Sequence, residues 1–180
     1  KDAINAADLV SQGKCQYYDY PSIEIRDLRG LLSLKRMLKK QEHRLKMRIR
    51  NNLVAQYFPE FDGQFAKGRS ESLAVLKWCI RPKDINLLEY DRFEEMVAPR
   101  VRTRAQLDRI KSIWLDANES IGCEAGEALQ FVARLMVEEL QNIRASIKEL
   151  DEQIEKICSG FPEYQSLLSI PGFEIGRAHV

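Results

Sequence analysis

Residues 129–157 read LQFVARLMVEELQNIRASIKELDEQIEKI, and their apolar positions keep a strict beat. Leu129, Met136, Ile143, Leu150 and Ile157 recur every seven residues, and Leu140, Ile147 and Ile154 form a second series offset by four. Steps of four and three alternate from Met136 to Ile157, the a/d seam of a left-handed coiled coil. Leu140, Ile147 and Ile154 occupy a; Met136, Ile143, Leu150 and Ile157 occupy d. Full burial of one such side chain contributes at most about 1.5–3 kcal/mol. An exposed ion pair on the same helix adds only about 0.3–0.5 kcal/mol. The seam therefore dictates that this helix packs lengthwise against another, as a spacer or a dimerisation rod.

Working outward, charge is distributed unevenly beneath a formal net charge of +1. Residues 26–50 carry Arg26, Arg29, Lys35, Arg36, Lys39, Lys40, Arg44, Lys46, Arg48 and Arg50 against Asp27 and Glu42 alone. The heptad region is the reverse, rich in glutamate. The four cysteines are scattered without a CxxC pair, and His43 and His179 are the two histidines, so neither a zinc site nor a disulfide scaffold is indicated. Buried reduced thiols in a cytoplasmic protein are expected instead. No apolar run reaches membrane-spanning length, so no membrane partner is expected.

The start of the chain lacks Met and a signal peptide. Its end, Glu174-Ile175-Gly176-Arg177-Ala178-His179-Val180, matches the translation of a widely used sequencing adapter. Residues 174–180, with His179, are therefore set aside, and the native chain is expected to stop near Phe173.

Between these ends the pattern is helical. Ala3, Ala6, Ala7 and Val10 predict a short helix closed by Gly13. Gln16-Tyr17-Tyr18-Asp19-Tyr20-Pro21 is extended or looped. Ser22 caps a long helix running to about Phe58, with Ile25, Leu28, Leu31, Leu32, Leu38, Leu45, Ile49 and Leu53 along its stripe. At ~1.5 Å per residue it spans about 50 Å. It matches the heptad helix in length, and the pair can form within one chain or between two. Residues 61–68 read as a loop with aromatic anchors, and residues 70–79 as a short helix with Leu73, Leu76 and Ile80 inward. Asp84 is expected to cap a turn carrying Leu87 and Leu88, and residues 92–97 form another short helix. Thr103 caps a helix through Leu107, Ile110, Ile113, Trp114 and Ala117. Gly122 and Gly126 mark a bend or close contact; Gly160 ends the heptad helix. The expected fold is all-α: two long helices forming a coiled-coil connector, with a small helical subdomain between them.

Ten cations against two acids over about seven turns repel one another, and phosphate relieves that repulsion. Arg29, Lys35, Arg36, Lys39, Lys40, Arg44, Lys46, Arg48 and Arg50 are the expected nucleic-acid contacts, the competing possibility being a solvated face packed on an acidic helix. Arg100, Arg102, Arg104, Arg109 and Lys111 form a second basic cluster. Tyr17, Tyr18 and Tyr20 are either base-stacking residues or loop anchors. At the far end, Leu167-Leu168-Ser169-Ile170-Pro171-Gly172-Phe173 resembles the entry to a helix-hairpin-helix turn, where backbone N–H groups meet phosphate.

The order of these pieces carries a resemblance. Asp2-Ala3-x-x-Ala6-Ala7-Asp8-Leu9 precedes Gly13-x-x-Gln16-Tyr17-Tyr18-Asp19-Tyr20-Pro21 and Ile25-Arg26-Asp27-Leu28-Arg29-x-Leu31-Leu32. Arg48-Ile49-Arg50-Asn51-Asn52-Leu53 and Tyr57-Phe58-Pro59-Glu60 follow, then the heptads and Leu168-Ser169-Ile170-Pro171-Gly172. The set resembles the DEDD transposases of the bacterial insertion-sequence family guided by a bridge RNA (insertion sequence one-ten/one-sixteen type), over nearly all of residues 1–173.

That resemblance implies an internal fragment of an enzyme that cleaves and rejoins DNA during transposition. Residues 1–20 would end an RNase H-like α/β catalytic domain, 21–160 form the helical connector, and 161–173 begin a C-terminal transposase domain. The family's last two acidic Mg²⁺ ligands lie in Asp-x-x-Asp-Ala; Asp2-Ala3 matches the final pair, its partner Asp falling before Lys1. The other register makes Asp2 the first Asp and leaves Asn5 at the second position. Asp2 is thus the implied catalytic and metal residue, and one carboxylate alone does not hold Mg²⁺. Ser169 precedes the Ile-Pro-Gly turn and is not the family's downstream serine nucleophile, so the fragment is expected to be inactive alone. DNA, a guide RNA and a second protomer, joined through Met136, Leu140, Ile143, Ile147, Leu150, Ile154 and Ile157, are the implied partners. Without the resemblance, the residues equally describe a non-enzymatic coiled-coil adaptor or a structural dimer.

Overall fold

A computed structural model describes residues 2–14, 20–98 and 103–169. Among them every regular element is helical and none is a strand. α1 (Asp2–Ser11) closes where Gly13 takes φ +63°: its N–H reaches the carbonyl of Val10 at 3.1 Å and that of Lys14 reaches Leu9 at 3.0 Å. These two bonds satisfy the last carbonyls as expected of a glycine C-cap. Ser22 Oγ accepts the Ile25 N–H at 3.4 Å and starts α2 (Ile23–Ile49). α2 passes through a π-helical turn, Arg50–Val54, into α3 (Ala55–Tyr57), and helical backbone ends at Phe58 before Pro59.

Residues 61–68, read from sequence as a loop, are mostly helical. A 3₁₀ turn, Pro59–Phe61, runs into α4 (Asp62–Ala66), because Phe58, Phe61 and Phe65 are spaced by three and four and all three are fully buried. Phe58 and Phe61 stack with ring centroids 5.4 Å apart. α5 (Ser70–Trp78) follows, with Leu73, Leu76 and Ile80 inward as expected. Pro82 opens α6 (Pro82–Asn86), so Asp84 caps nothing; it pairs with Arg81 at 2.5 Å instead. α7 (Tyr90–Val97) and α8 (Arg104–Asn118) complete the subdomain, α8 starting with a capping box between Thr103 and Gln106. α9 (Ala128–Cys158) carries the heptads, and α10 (Pro162–Leu168) follows Gly160.

The chain divides into two compact units. One comprises Leu34–Gln153. Its core gathers Ile49, Val54, Phe58, Phe61, Phe65, Leu76, Ile85, Phe93, Ile110 and Ile113 from the subdomain with Ala133, Val137 and Leu140 of α9. Within it α2 and α9 run antiparallel, since Lys35 pairs with Asp151 at 2.5 Å while Glu42 pairs with Arg144 at 2.8 Å. The long helices therefore pair within one chain here, the choice left open by the heptads. The other unit comprises Lys1–Ser33 with Ile154–Val180. In it Ile154 and Cys158 are buried, Leu28, Leu31 and Ile157 are half-buried, and α1 buries no residue.

The buried stripe of α9 departs from the expected seam. The a series holds, with Leu140, Ile147 and Ile154 buried, but Met136 and Ile143 at d are half-buried while Val137 is fully buried. The N-terminal half of α9 faces a globular subdomain rather than a single rod. Gln130 shows this: its amide nitrogen donates to the carbonyls of Leu76 and Lys77 and its oxygen accepts the Ile80 N–H at 3.3 Å, capping α5. A face broadened toward Ala133 and Val137 meets that neighbour better than a two-position seam.

Gly122 makes the close contact anticipated for it. A Cβ there would lie 2.1 Å from the Tyr57 carbonyl oxygen, and the adjacent Cys123 N–H donates to Gln56 at 2.9 Å. Glu60 secures the same loop by accepting Ser120 Oγ at 2.6 Å and the Ile121 N–H at 3.0 Å. Gly126 makes no such contact; nothing lies within 4 Å of its would-be Cβ. Cys79 and Cys158 are buried thiols, burial and Asp84 pushing the former up to about 11, but Cys123 is exposed, contrary to a uniformly buried set.

Candidate nucleic-acid interface

α2 positions its cations by rotation alone. At about 100° per residue, an i, i+4 series advances about 40° per step and climbs about 6 Å, so Arg36, Lys40, Arg44 and Arg48 describe a shallow spiral on one side. Their side chains lie opposite Leu38, Leu45 and Ile49, which face inward. All four are exposed, and none has an acidic partner within 4 Å among the described residues. Arg44 and Arg48 border a shallow groove with Gln41, Leu45, Glu139 and Ile143, which brings the Glu139 carboxylate to that end of the row. Arg29, exposed on the first turns of α2, belongs to the other unit.

The remaining expected contacts face sideways and are engaged by the protein. Arg50 donates Nε and Nη2 to the two carboxylate oxygens of Asp62, both at 2.6 Å. These bonds hold the Asp62 carboxyl below its ordinary range and raise the already basic guanidinium. Lys46 Nζ donates to the Ala66 carbonyl at 2.8 Å, at the C-terminus of α4 where a cation is favoured. Lys35 is paired with Asp151 and is mostly buried. Lys39 makes a looser 3.4 Å contact with Glu42. Glu42 also accepts Arg144 Nε; burial raises the Glu42 carboxyl, but Arg144 and Lys39 outweigh it and the net shift is downward.

The second basic cluster divides likewise. Arg109 is engaged: its Nε and Nη2 meet Glu71 Oε1 at 2.7 and 2.6 Å, and Glu71 is only 2% exposed. Arg104 and Lys111 are exposed, and Arg100 and Arg102 lie outside the described residues. So do Tyr17, Tyr18 and the Ile-Pro-Gly segment; Tyr20 is exposed.

Asp2 is exposed in the first turn of α1, and no group of three metal-binding side chains occurs among the described residues. One exposed carboxylate supplies one oxygen ligand toward a cation that takes six, so these residues do not themselves assemble a Mg²⁺ site.

One surface was not singled out in the sequence. Trp78 at the end of α5 and Phe131 on α9 line a cleft of about 170 Å³ with Lys77, Gln130 and Arg134. Phe131 and Leu135 occupy outward heptad positions, where apolar residues are out of place; that was the available signal.

No helix among the described residues is long and apolar enough to cross a membrane. No family model matches the chain, and neither the curated proteins nor the solved structures compared with it give a match.

Proposed function

We propose that the chain is a fragment of a cytoplasmic DEDD transposase of the bridge-RNA-guided insertion-sequence type, in which α2 contacts the nucleic-acid backbone. The observation that carries the contact is the row Arg36, Lys40, Arg44 and Arg48, four exposed cations without an acidic partner among the described residues. Neighbouring cations at i, i+4 destabilise a helix by about 0.2–0.5 kcal/mol per pair, so the row works against the fold. A polyanion removes that repulsion and releases its own counterions in doing so. Arg29 would extend the contact, whereas Lys35, Lys46 and Arg50 contribute chiefly by orienting α2.

In the parent protein Asp2 would be one Mg²⁺ ligand, the other carboxylates coming from outside this chain. The metal would there supply activation of the attacking and leaving oxygens during strand cleavage. α1, which buries no residue here, would pack on the rest of the RNase H-like domain, of which residues 1–20 would be the end. Leu140 and Ile147 join α9 to its own chain, so self-association would draw on Met136 and Ile143, whose side chains are half-buried.

Anisotropy of labelled RNA and DNA oligonucleotides, titrated across salt, tests the contact. Four phosphate contacts predict a log–log slope of about −3 to −4, largely lost when the row is changed to Gln. Absent or salt-insensitive binding would sink the proposal. Engagement of Lys35, Lys46 and Arg50 inside the protein favours, as a second reading, an adaptor whose α2 meets an acidic polypeptide. It predicts capture of poly-glutamate in preference to RNA.

A further inference from the structure

We infer that the cleft between Trp78 and Phe131 holds one unpaired base of a single-stranded nucleic acid, a proposal that rests on the polyanion contact of α2. Both rings are substantially exposed, 52% for Trp78 and 55% for Phe131. A cation stands by each: Lys77 Nζ is 5.7 Å from the Trp78 ring and Arg134 Cζ is 5.4 Å from that of Phe131. At about 170 Å³ the cleft is smaller than the roughly 300–1,000 Å³ of a small-molecule site, so it suits one planar ring of an extended ligand. Exposed aromatic rings bordered by cations are the means by which proteins hold single strands, base on ring and phosphate on cation.

Charge favours this occupant. Lys77 also reaches Glu138 at 3.0 Å, but among the described residues Arg134 has no carboxylate within 4 Å, which leaves the cleft net positive. Glu139 shares the groove of Arg44 and Arg48, and Leu135 and Phe131 lie one and two turns before it on α9. Since α2 and α9 are antiparallel, the row from Arg36 to Arg48 leads toward that end of α9. The cleft lies about 12 Å further along the α9 axis than the groove, at ~1.5 Å per residue, with Phe131 turned about 80° from Glu139 around that axis.

The test measures binding of a single-stranded oligonucleotide and the matching duplex to the full chain, its Trp78→Ala and Phe131→Ala variants, and a Phe131→Tyr variant. Each alanine change is expected to weaken the single strand by about tenfold, with duplex affinity and salt slope unchanged and Phe131→Tyr close to wild type. Equal affinities of all variants for the single strand would overturn the cleft and leave the α2 contact standing. Failure of the unaltered chain to bind either oligonucleotide would overturn both. A second copy of the chain as occupant would appear as a dimer in sedimentation that the alanine changes dissociate without altering oligonucleotide binding, and that result also overturns the proposal.

Discussion

Glu71 and Arg109 meet across α5 and α8 through two short hydrogen bonds to a carboxylate oxygen that solvent scarcely reaches. Burial raises the Glu71 carboxyl, yet bonds from its own backbone, Arg109 and Ser70, together with the charge of Arg109, bring the net shift below the ordinary value. A lowered folded pKa means that the stabilisation is complete above the unfolded value of about 4.3 and is lost as pH falls through the folded one. Glu42, Glu60 and Asp62 shift the same way. The urea midpoint should therefore fall as pH drops below about 4.3, and less so in Glu71→Gln. That variant should also lose about 1.5–3 kcal/mol at neutral pH, because it leaves Arg109 facing a neutral amide. Gly122 provides a second residue-scale test. Its Cβ would collide with backbone at Tyr57, so Gly122→Ala should cost about 1–3 kcal/mol by overpacking. Gly126→Ala, with open space around it, should be neutral or slightly stabilising in the same denaturation series.

At the scale of elements, α9 separates what a repeat can specify from what it cannot. Seven-residue spacing predicted a long helix with one packed stripe, and Leu140, Ile147 and Ile154 are where that stripe lies. It could not reveal that the neighbour changes along the helix, from α2 near Lys35 to the end of α5 near Gln130. The ranking of side chains changes accordingly. Leu140→Ala should cost about 2–5 kcal/mol and Met136→Ala well under that, measured by denaturant unfolding. A pure a/d coiled coil would make the two comparable. Residues 61–68 illustrate a different limit. From sequence the stretch reads as a loop with aromatic anchors, whereas the three-and-four spacing of Phe58, Phe61 and Phe65 already describes a helical face. On α2, neutralising Lys40 relieves like-charge contacts with Arg36 and Arg44. Lys40→Gln should raise thermal stability slightly at low salt, by about 0.2–0.5 kcal/mol per contact removed, while weakening nucleic-acid binding.

For the whole molecule, the basic helix was legible as a density of charge but not as a binding surface. Which cations are available depends on acids and carbonyls far away in the chain: Asp151 for Lys35, Asp62 for Arg50, Ala66 for Lys46. No spacing within α2 encodes those partners. The distinction predicts an asymmetry between two sets of charge reversals. Altering Arg50 or Lys35 should lower stability with modest effect on salt-dependent oligonucleotide affinity. Altering Arg44 or Arg48 should do the opposite, and paired unfolding and anisotropy measurements read both.

The π-helical turn at Arg50–Val54 stores the phase between two parts of one rod. It holds one residue more than an α-helical turn would, so Ile49, Leu53, Val54 and Phe58 all reach the same interior. Chain length here acts as an angle. Deleting one residue between Asn51 and Val54 would let the hydrogen-bond ladder close as ordinary α-helix, with no loss of helix content. Everything after it would turn by about 100° relative to the cationic row, carrying Phe58 away from the interior that Leu45 and Ile49 face. Inserting or removing a single codon at this point would thus re-aim the subdomain about α2 more drastically than any single side-chain replacement.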